Sequence, residues 1–466
     1  MQKEALNLRF SSFAEMLGHY AERTPDAPAL RYAEGDAAAA MTYAQLARAV
    51  ERRAEEIKAL GKTCMGVFAD GSAACLIEIF AAVRAGLQVV LLDEGVPTVV
   101  LRGLLPYTDV DTLYGPEELC GELAGDLSRG VRGGAGKVLF FTSGTTARSK
   151  AVVLTEGSLC ASAYNGAALL PLEADDTLLC MLPLAHVFGF VCGVLWGLSC
   201  GACVALGRGA RHYIDDCAFF RPTALSAVPL LLGFLLQHGA LGDTLRLVLV
   251  GAGDCREEIL EAVKARGLRV CFGYGLTETS SGVALSLGDE PFAMTVCPDD
   301  KIVIAPDGEI LIKTRTCMMQ GYYKCPEDTR AALAGGALHT GDLGRLDEKG
   351  RLIVTGRKKE MLVLPDGTKL FLPEAEAELA ELLPGAECAV ALCGGRVTLV
   401  LCGDGRDDKA IYDAIAPYQA SRPRGQQIAA IARRDGPLPR TATGKIKRWE
   451  LGAGLQAAGS GASSQA

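Results

Sequence analysis

The chain has 466 residues, a net charge of −8 and 49% apolar residues. That length exceeds what one hydrophobic core organises, so two or more domains are expected. The acidic balance, with no basic concentration, argues against nucleic acid as the main partner. The 17 cysteines lack regular disulfide spacing and read as reduced thiols of a cytoplasmic protein.

The start, Met1-Gln2-Lys3-Glu4, lacks the apolar core of a signal peptide. Thr42 reads as the cap of a helix in which Leu46, Ala49, Val50, Ile57 and Leu60 recur at helical spacing, with Gly61 as its stop. Residues 64–69 form an apolar strand, 73–85 a helix ended by Gly86, and 87–92 another strand. This alternation predicts a parallel sheet covered by helices. Residues 121–136 are glycine-rich and read as a surface linker.

Residues 139–154 run apolar strand, hydroxyl-rich loop, lysine, apolar strand. Gly144 lets the backbone turn. Thr142, Ser143, Thr145 and Thr146 offer hydroxyls beside main-chain N–H groups, and Lys150 adds a point charge. Such a loop suits an anion with many oxygens, above all a polyphosphate. It is not the usual P-loop, because its lysine opens a strand instead of a helix. By its residues alone, a Ser/Thr-rich hairpin with one surface lysine stands as an equal reading. The string resembles the signature loop of the adenylate-forming superfamily, Thr-Ser-Gly-Thr-Thr-Gly-x-Pro-Lys-Gly, and departs from it at Ala147, Ser149 and Ala151. That superfamily holds acyl-CoA synthetases, acyl ligases, peptide-synthetase adenylation domains and beetle luciferases.

Thr155 can cap a helix to about residue 170, and 178–182 form an apolar run. Pro183-Leu184-Ala185-His186-Val187-Phe188-Gly189 falls on the family's second landmark, where a His or aromatic residue begins the helix beside the acid pocket. Without that resemblance, a lone His among apolar residues is a satisfied core residue. Amino-acid-activating relatives carry an aspartate here, so His186 implies a non-amino carboxylic acid. Residues 187–206 carry no charge and have about the ~20-residue length of a membrane span. Their Gly, Cys and Ser content favours a buried helix followed by a strand, hence no integral membrane insertion. Cys200 and Cys203 within this run read as core packing, not zinc ligands.

The strand at 245–250 ends in Gly251-Ala252-Gly253, small residues that let a flat ligand approach the backbone. Resemblance makes this segment a wall for adenine and part of the acyl pocket. Gly273-Tyr274-Gly275-Leu276-Thr277-Glu278 resembles the family's Tyr-Gly-x-Thr-Glu motif. Tyr274 offers an aromatic face, Thr277 a hydroxyl for the α-phosphate, and Glu278 a hard oxygen ligand for Mg²⁺. Residues 309–313 and Met319-Gln320-Gly321-Tyr322-Tyr323 fit the family's small β-rich subdomain. The resemblance gives Asp342 the ribose hydroxyls, where its residues alone allow a turn. Residues 347–350 read as a hairpin turn. Arg357 falls where the family contacts ribose and phosphate, and Lys359 where it places the hinge; a basic doublet is otherwise a solvated face.

A hairpin follows, with strands at 361–364 and 369–372 around Pro365-Asp366-Gly367, and Pro373 opens a helix over 374–383. Arg440-Thr441-Ala442-Thr443-Gly444-Lys445-Ile446-Lys447-Arg448 resembles the closing motif, with Lys445 free to reach outward. The small polar tail from Gly452 reads as disordered.

The fold expected is α/β. A large N-terminal domain (residues 1–358) of helix-covered, mostly parallel sheets carries a small β-rich subdomain. A mobile α+β lid (residues 359–452) follows, with its hinge near Lys359, then the tail (residues 453–466). The resemblance implies ATP-dependent activation of a fatty acid, of long- or medium-chain type, to an acyl-adenylate with release of pyrophosphate. Transfer to the thiol of coenzyme A follows. The alternative acceptor is the phosphopantetheine arm of an acyl carrier protein. A non-catalytic nucleotide binder is the further alternative, favoured by the altered loop. Lys445, Glu278 and His186 carry the chemistry in this reading, and Gly367 lies in the hairpin that faces the site for the thiol step.

Overall fold

The computed structural model describes residues 9–128, 134, 136–142, 150–253, 255–287, 290–364, 369–440, 446 and 451. Three sheets build most of it. A nine-stranded sheet runs, edge to edge, Thr295–Val296, Ser281–Leu285, Arg269–Leu276, Leu247–Val250, Ala224–Ala227, Thr177–Cys180, Cys203–Leu206, Pro28–Glu34 and Ala37–Thr42. Its six inner strands, from Arg269–Leu276 to Pro28–Glu34, are parallel, and both ends turn antiparallel. Buried on both faces, strands such as Leu247–Val250 are continuous apolar runs, as parallel sheets require.

A six-stranded sheet runs Gly321–Tyr322, Ala151–Thr155, Lys137–Phe141, Gln88–Leu92, Cys64–Phe68 and Thr112–Tyr114. A four-stranded sheet runs Asp300–Ile304, Glu309–Thr314, Leu338–Leu346 and Leu352–Arg357. This is the β-rich subdomain expected for 309–313, whereas Gly321–Tyr322, expected in it too, pairs instead with Ala151–Thr155 in the six-stranded sheet. Helix Tyr43–Ala59 opens at Thr42, whose hydroxyl accepts from the Gln45 amide while the Gln45 side chain accepts from the Thr42 amide. Part of the expected linker at 121–136 is helical instead: helix Glu117–Leu123 and the turn Ala124–Asp126 bury Leu123.

The charge-free run 187–206 lies in the core. It forms helix Val187–Phe190, a π-helical turn Val191–Leu195, helix Trp196–Ser199 and the interior strand Cys203–Leu206. Gly189, Gly193 and Gly197 lie along one side, where a Cβ would strike Pro183, Cys180 and Val204 in turn. Glycine therefore lets this segment press against the sheet. Among the described residues no helix is long and apolar enough to cross a membrane. All 17 cysteines are free thiols, 11 of them buried. Cys203 packs inside its strand, and Cys200 ends the helix before it.

The chain divides into two compact units; the smaller comprises the chain from Thr355 onward with Gly341–Leu343. It has its own core, including Leu370, Leu379, Val390, Leu399, Ile411 and Tyr418. Its strands Met361–Val363 and Lys369–Phe371 pair antiparallel, and Glu387–Cys393, Arg396–Cys402 and Ala430–Arg434 form a second sheet. The α+β character matches expectation.

Candidate active site

In the large unit the hydroxyl-rich hairpin is clamped at its neck. Strands Lys137–Phe141 and Ala151–Thr155 are antiparallel, with Phe141 opposite Ala151. The Thr142 amide donates to the Lys150 carbonyl at 3.0 Å, and the Lys150 amide donates to Thr142 Oγ1 at 3.2 Å. The Thr142 side chain thus closes the hairpin. Ala151 is a fully buried strand residue whose carbonyl accepts from the Tyr323 amide at 2.8 Å. Ser143, Gly144, Thr145 and Thr146 lie outside the described residues, as do Ala147 and Ser149.

Lys150 connects this neck to the Thr-Glu motif. Its Nζ is 3.0 Å from Asp328 Oδ2, in the first turn of helix Pro326–Ala332, and 4.6 Å from the Tyr322 ring centroid. Tyr322 OH donates to Glu278 Oε1 at 2.7 Å. The Glu278 carbonyl accepts from the Met319 amide at 2.8 Å, so segment 319–322 grips both main chain and side chain of Glu278. Burial and the Glu278 carboxylate push the Tyr322 phenol upward, so it stays protonated and keeps donating. Tyr322 reaches this place because strand Gly321–Tyr322 pairs with Ala151–Thr155, Tyr322 opposite Val152. Its link to Glu278 and Lys150 carried no sequence signal beyond an aromatic after Gln320-Gly321.

The Lys150–Asp328 pair is partly exposed, and exposed pairs contribute only ~0–1 kcal/mol. Asp328 therefore holds Lys150 only weakly. Glu278 is the hard oxygen donor here; among the described residues no group of three or more His, Cys, Asp or Glu side chains could hold a metal. That donor set fits Mg²⁺, which takes one or two carboxylates plus substrate phosphates and water.

The flanking motif is strand, not loop. Tyr274 and Gly275 lie within Arg269–Leu276, where the register against Ser281–Leu285 shifts between them. A Cβ at Gly275 would collide with the Ser281 carbonyl. Close backbone approach is what requires glycine there. Half-buried Thr277 opens the single turn that holds Glu278.

Beyond strand Leu247–Val250, a Cβ at Gly251 would lie 3.1 Å from the Phe188 ring. An aromatic side chain of this chain therefore already faces Gly251. Exposed Ala252 has φ +62°, a left-handed conformation that costs of order 1–3 kcal/mol outside glycine. A Cβ at Gly253 would lie 3.6 Å from the Pro229 ring. His186 is exposed, not a core residue. It stands at the N-cap position of helix Val187–Phe190, with Nε2 3.9 Å from Asp93 Oδ2. Phe190, one turn on, packs on Phe140 at 5.7 Å between centroids, and Phe140 lies two residues before Thr142. One aromatic contact thus ties the His186 helix to the hairpin.

In the small unit Asp342 is 2% exposed, and its Oδ1 is 2.8 Å from Arg357 Nε. Lys359 is exposed in the turn Lys358–Glu360. Gly367 and Lys445 lie outside the described residues; Arg440, hydrogen-bonded to Glu387, forms an antiparallel bridge with Ile446.

The neck of the hydroxyl-rich hairpin, a lysine and an anchored carboxylate thus come together in the large unit of an α/β fold. Residues 136–323 match the family model described as AMP-binding enzyme. The chain belongs to the adenylate-forming, AMP-binding superfamily. It is 30% identical over 339 residues to a methyl-dioxo-octahydroindenyl-propanoyl:CoA ligase of Mycobacterium tuberculosis, covering 67% of this chain and 65% of that protein. It is 28% identical over 506 aligned positions to the indoleacetate–CoA ligase of Aromatoleum aromaticum, covering 93% and 96%. The fold is similar to that of an anthranilate CoA ligase solved with anthranoyl-AMP, at TM-score 0.78 and 20% identity over 98% of this chain and 100% of that one.

Proposed function

We propose that this protein is an acid–thiol ligase that activates a carboxylic acid with ATP, releasing pyrophosphate, and passes the acyl group to coenzyme A. The observation that carries this reading is the Lys150–Tyr322–Glu278 chain of contacts beside the clamped hairpin. The names of the curated relatives favour coenzyme A as acceptor. They also favour a ring-bearing acid over the fatty acid expected from sequence. The cytoplasm, where both ATP and coenzyme A are available, is the compartment this reading requires.

In the first half-reaction a carboxylate oxygen attacks the α-phosphorus, a new P–O bond forms, and the bond to pyrophosphate breaks. Phosphoryl-centre chemistry rests on positioning and charge neutralisation. Lys150 exchanges Asp328 for the departing phosphates. Glu278, oriented by Tyr322, would hold Mg²⁺, which would offset their charge. Lys445 bridges the attacking carboxylate and the phosphate. Asp342, fixed by Arg357, accepts the ribose hydroxyls. In the second half-reaction the small unit turns about Lys359, the thiol sulfur attacks the acyl carbon, and AMP leaves.

The test is pyrophosphate release from ATP and Mg²⁺ across alkyl, aryl and amino acids, with hydroxylamine trapping the adenylate. Release with one acid class, reduced on the order of 10²–10³-fold in Lys445→Ala, supports the reading. ATP binding without release for every acid would overturn it in favour of a non-catalytic nucleotide binder. Adding coenzyme A or a pantetheinylated carrier protein then identifies the acceptor.

A further inference from the structure

A small cavity of about 30 Å³ lies inside the large unit. Ser162, Leu170, Cys192, Trp196, Leu249 and Gly282 are among its walls. These residues place it behind the candidate site. Leu249 comes two residues before Gly251, Gly282 four after Glu278, and Cys192 one turn after Phe188, whose ring faces Gly251. Cys192 Sγ also lies 3.4 Å from Ser281 Oγ. The cavity thus shares three elements with the candidate site.

Its lining is mostly apolar, with one exception. Ser162 is 3% exposed, and its Oγ has no hydrogen-bond partner among the described residues. A serine inside a helix usually bonds back to the carbonyl one turn earlier. Here, in helix Glu156–Leu169, it does not. A buried hydroxyl left unsatisfied costs about 1–3 kcal/mol, so it calls for a partner. The far wall is fixed: Trp196 Nε1 donates to the Leu170 carbonyl at 2.9 Å, both residues buried.

The volume decides what fits. A benzene ring needs a cavity on the order of 150 Å³, and a water about 10–15 Å³. This cavity therefore admits one small group. We propose that it receives the distal tip of the acid, and that Ser162 selects a compact ring acid bearing a small hydrogen-bonding substituent at the end remote from its carboxylate. The locked Trp196 stops a longer tail. This inference rests on the reading of the protein as an acid-activating enzyme.

Two measurements keep the inference and that reading apart. The first is pyrophosphate release with phenylacetate, para-hydroxyphenylacetate, indoleacetate and straight alkyl acids from hexanoate to dodecanoate. The second is calorimetric binding of the same acids, with and without ATP, which needs no turnover. Both compare the wild type with Ser162→Ala and Ser162→Thr. The expected result is a preference for the hydroxylated ring acid on the order of tenfold, erased in Ser162→Ala. Ser162→Thr, which keeps the hydroxyl in less space, should retain the sign of the preference. The same pattern in binding without pyrophosphate release would uphold the cavity's role and sink the enzymatic reading. Release with dodecanoate above the ring acids, or a preference indifferent to Ser162→Ala, would overturn the inference and leave the enzyme standing; the cavity would then be a structural water site only.

Discussion

Tyr322 joins Glu278 by hydrogen bond and Lys150 by its ring face, 44 and 172 positions away in the chain. Tyr322→Phe keeps the ring under Lys150 and removes only the hydroxyl. Hydrogen bonds to charged groups contribute about 1.5–3 kcal/mol, so the Mg²⁺ concentration for half-maximal pyrophosphate release should rise on the order of tenfold or more. An unchanged Mg²⁺ dependence would show that Glu278 needs no such support. Asp300 is a second residue with a consequence of its own. Burial raises its carboxyl to about 6, and its Oδ1 has no hydrogen-bond partner among the described residues. A raised carboxyl stabilises the fold when protonated. That contribution is complete below the ordinary carboxylate range and is lost as pH rises through about 6. Asp300→Asn should therefore gain up to about 3 kcal/mol near pH 8 and little near pH 4. Urea midpoints at the two pH values read the difference, and equal gains at both would exclude this titration. Sequence alone marked Glu278, Asp342 and Lys150, whose chemistry is visible in the letters. It missed Tyr322, Ser162 and Asp300, because each acts through neighbours that only the fold brings near.

The elements followed their local signals where a cap or an apolar run decided the matter. Thr42 and Thr155 both open helices through reciprocal caps, as their sequences indicate. Residues 121–123 went the other way: Leu123 gained burial under a helix, which outweighed the local glycine content. Strand Arg269–Leu276 continues through two glycines: at Gly275 the partner strand's backbone comes too close for any side chain, and at Gly273 a Cβ would press on the Leu285 side chain. The π-helical turn Val191–Leu195 has no signature of its own; apolar periodicity cannot tell it from an ordinary turn. Buried Ser226 on the neighbouring strand donates to the Cys192 carbonyl at 2.7 Å within that turn. Ser226→Ala should lower stability by about 1 kcal/mol and raise KM for the acid, since the same turn lines the inner cavity. A loss of stability with KM unchanged would separate the turn from substrate recognition.

At the scale of the whole molecule, the order of the motifs carried the family, while the acid depended on packing that no motif encodes. Val187–Leu206 shows the difference most clearly: its composition allowed a membrane span, and the glycine face against the sheet turned it into core. The free thiols have a practical meaning. Burial raises the pKa of Cys160 and Cys297 in the large unit and of Cys388 and Cys402 in the small one. Thiols that are neither ionised nor accessible resist alkylating reagents. The chain thus carries native reporters in both units, with no label to install. Alkylation mapped by mass spectrometry along a urea gradient would record which unit opens first.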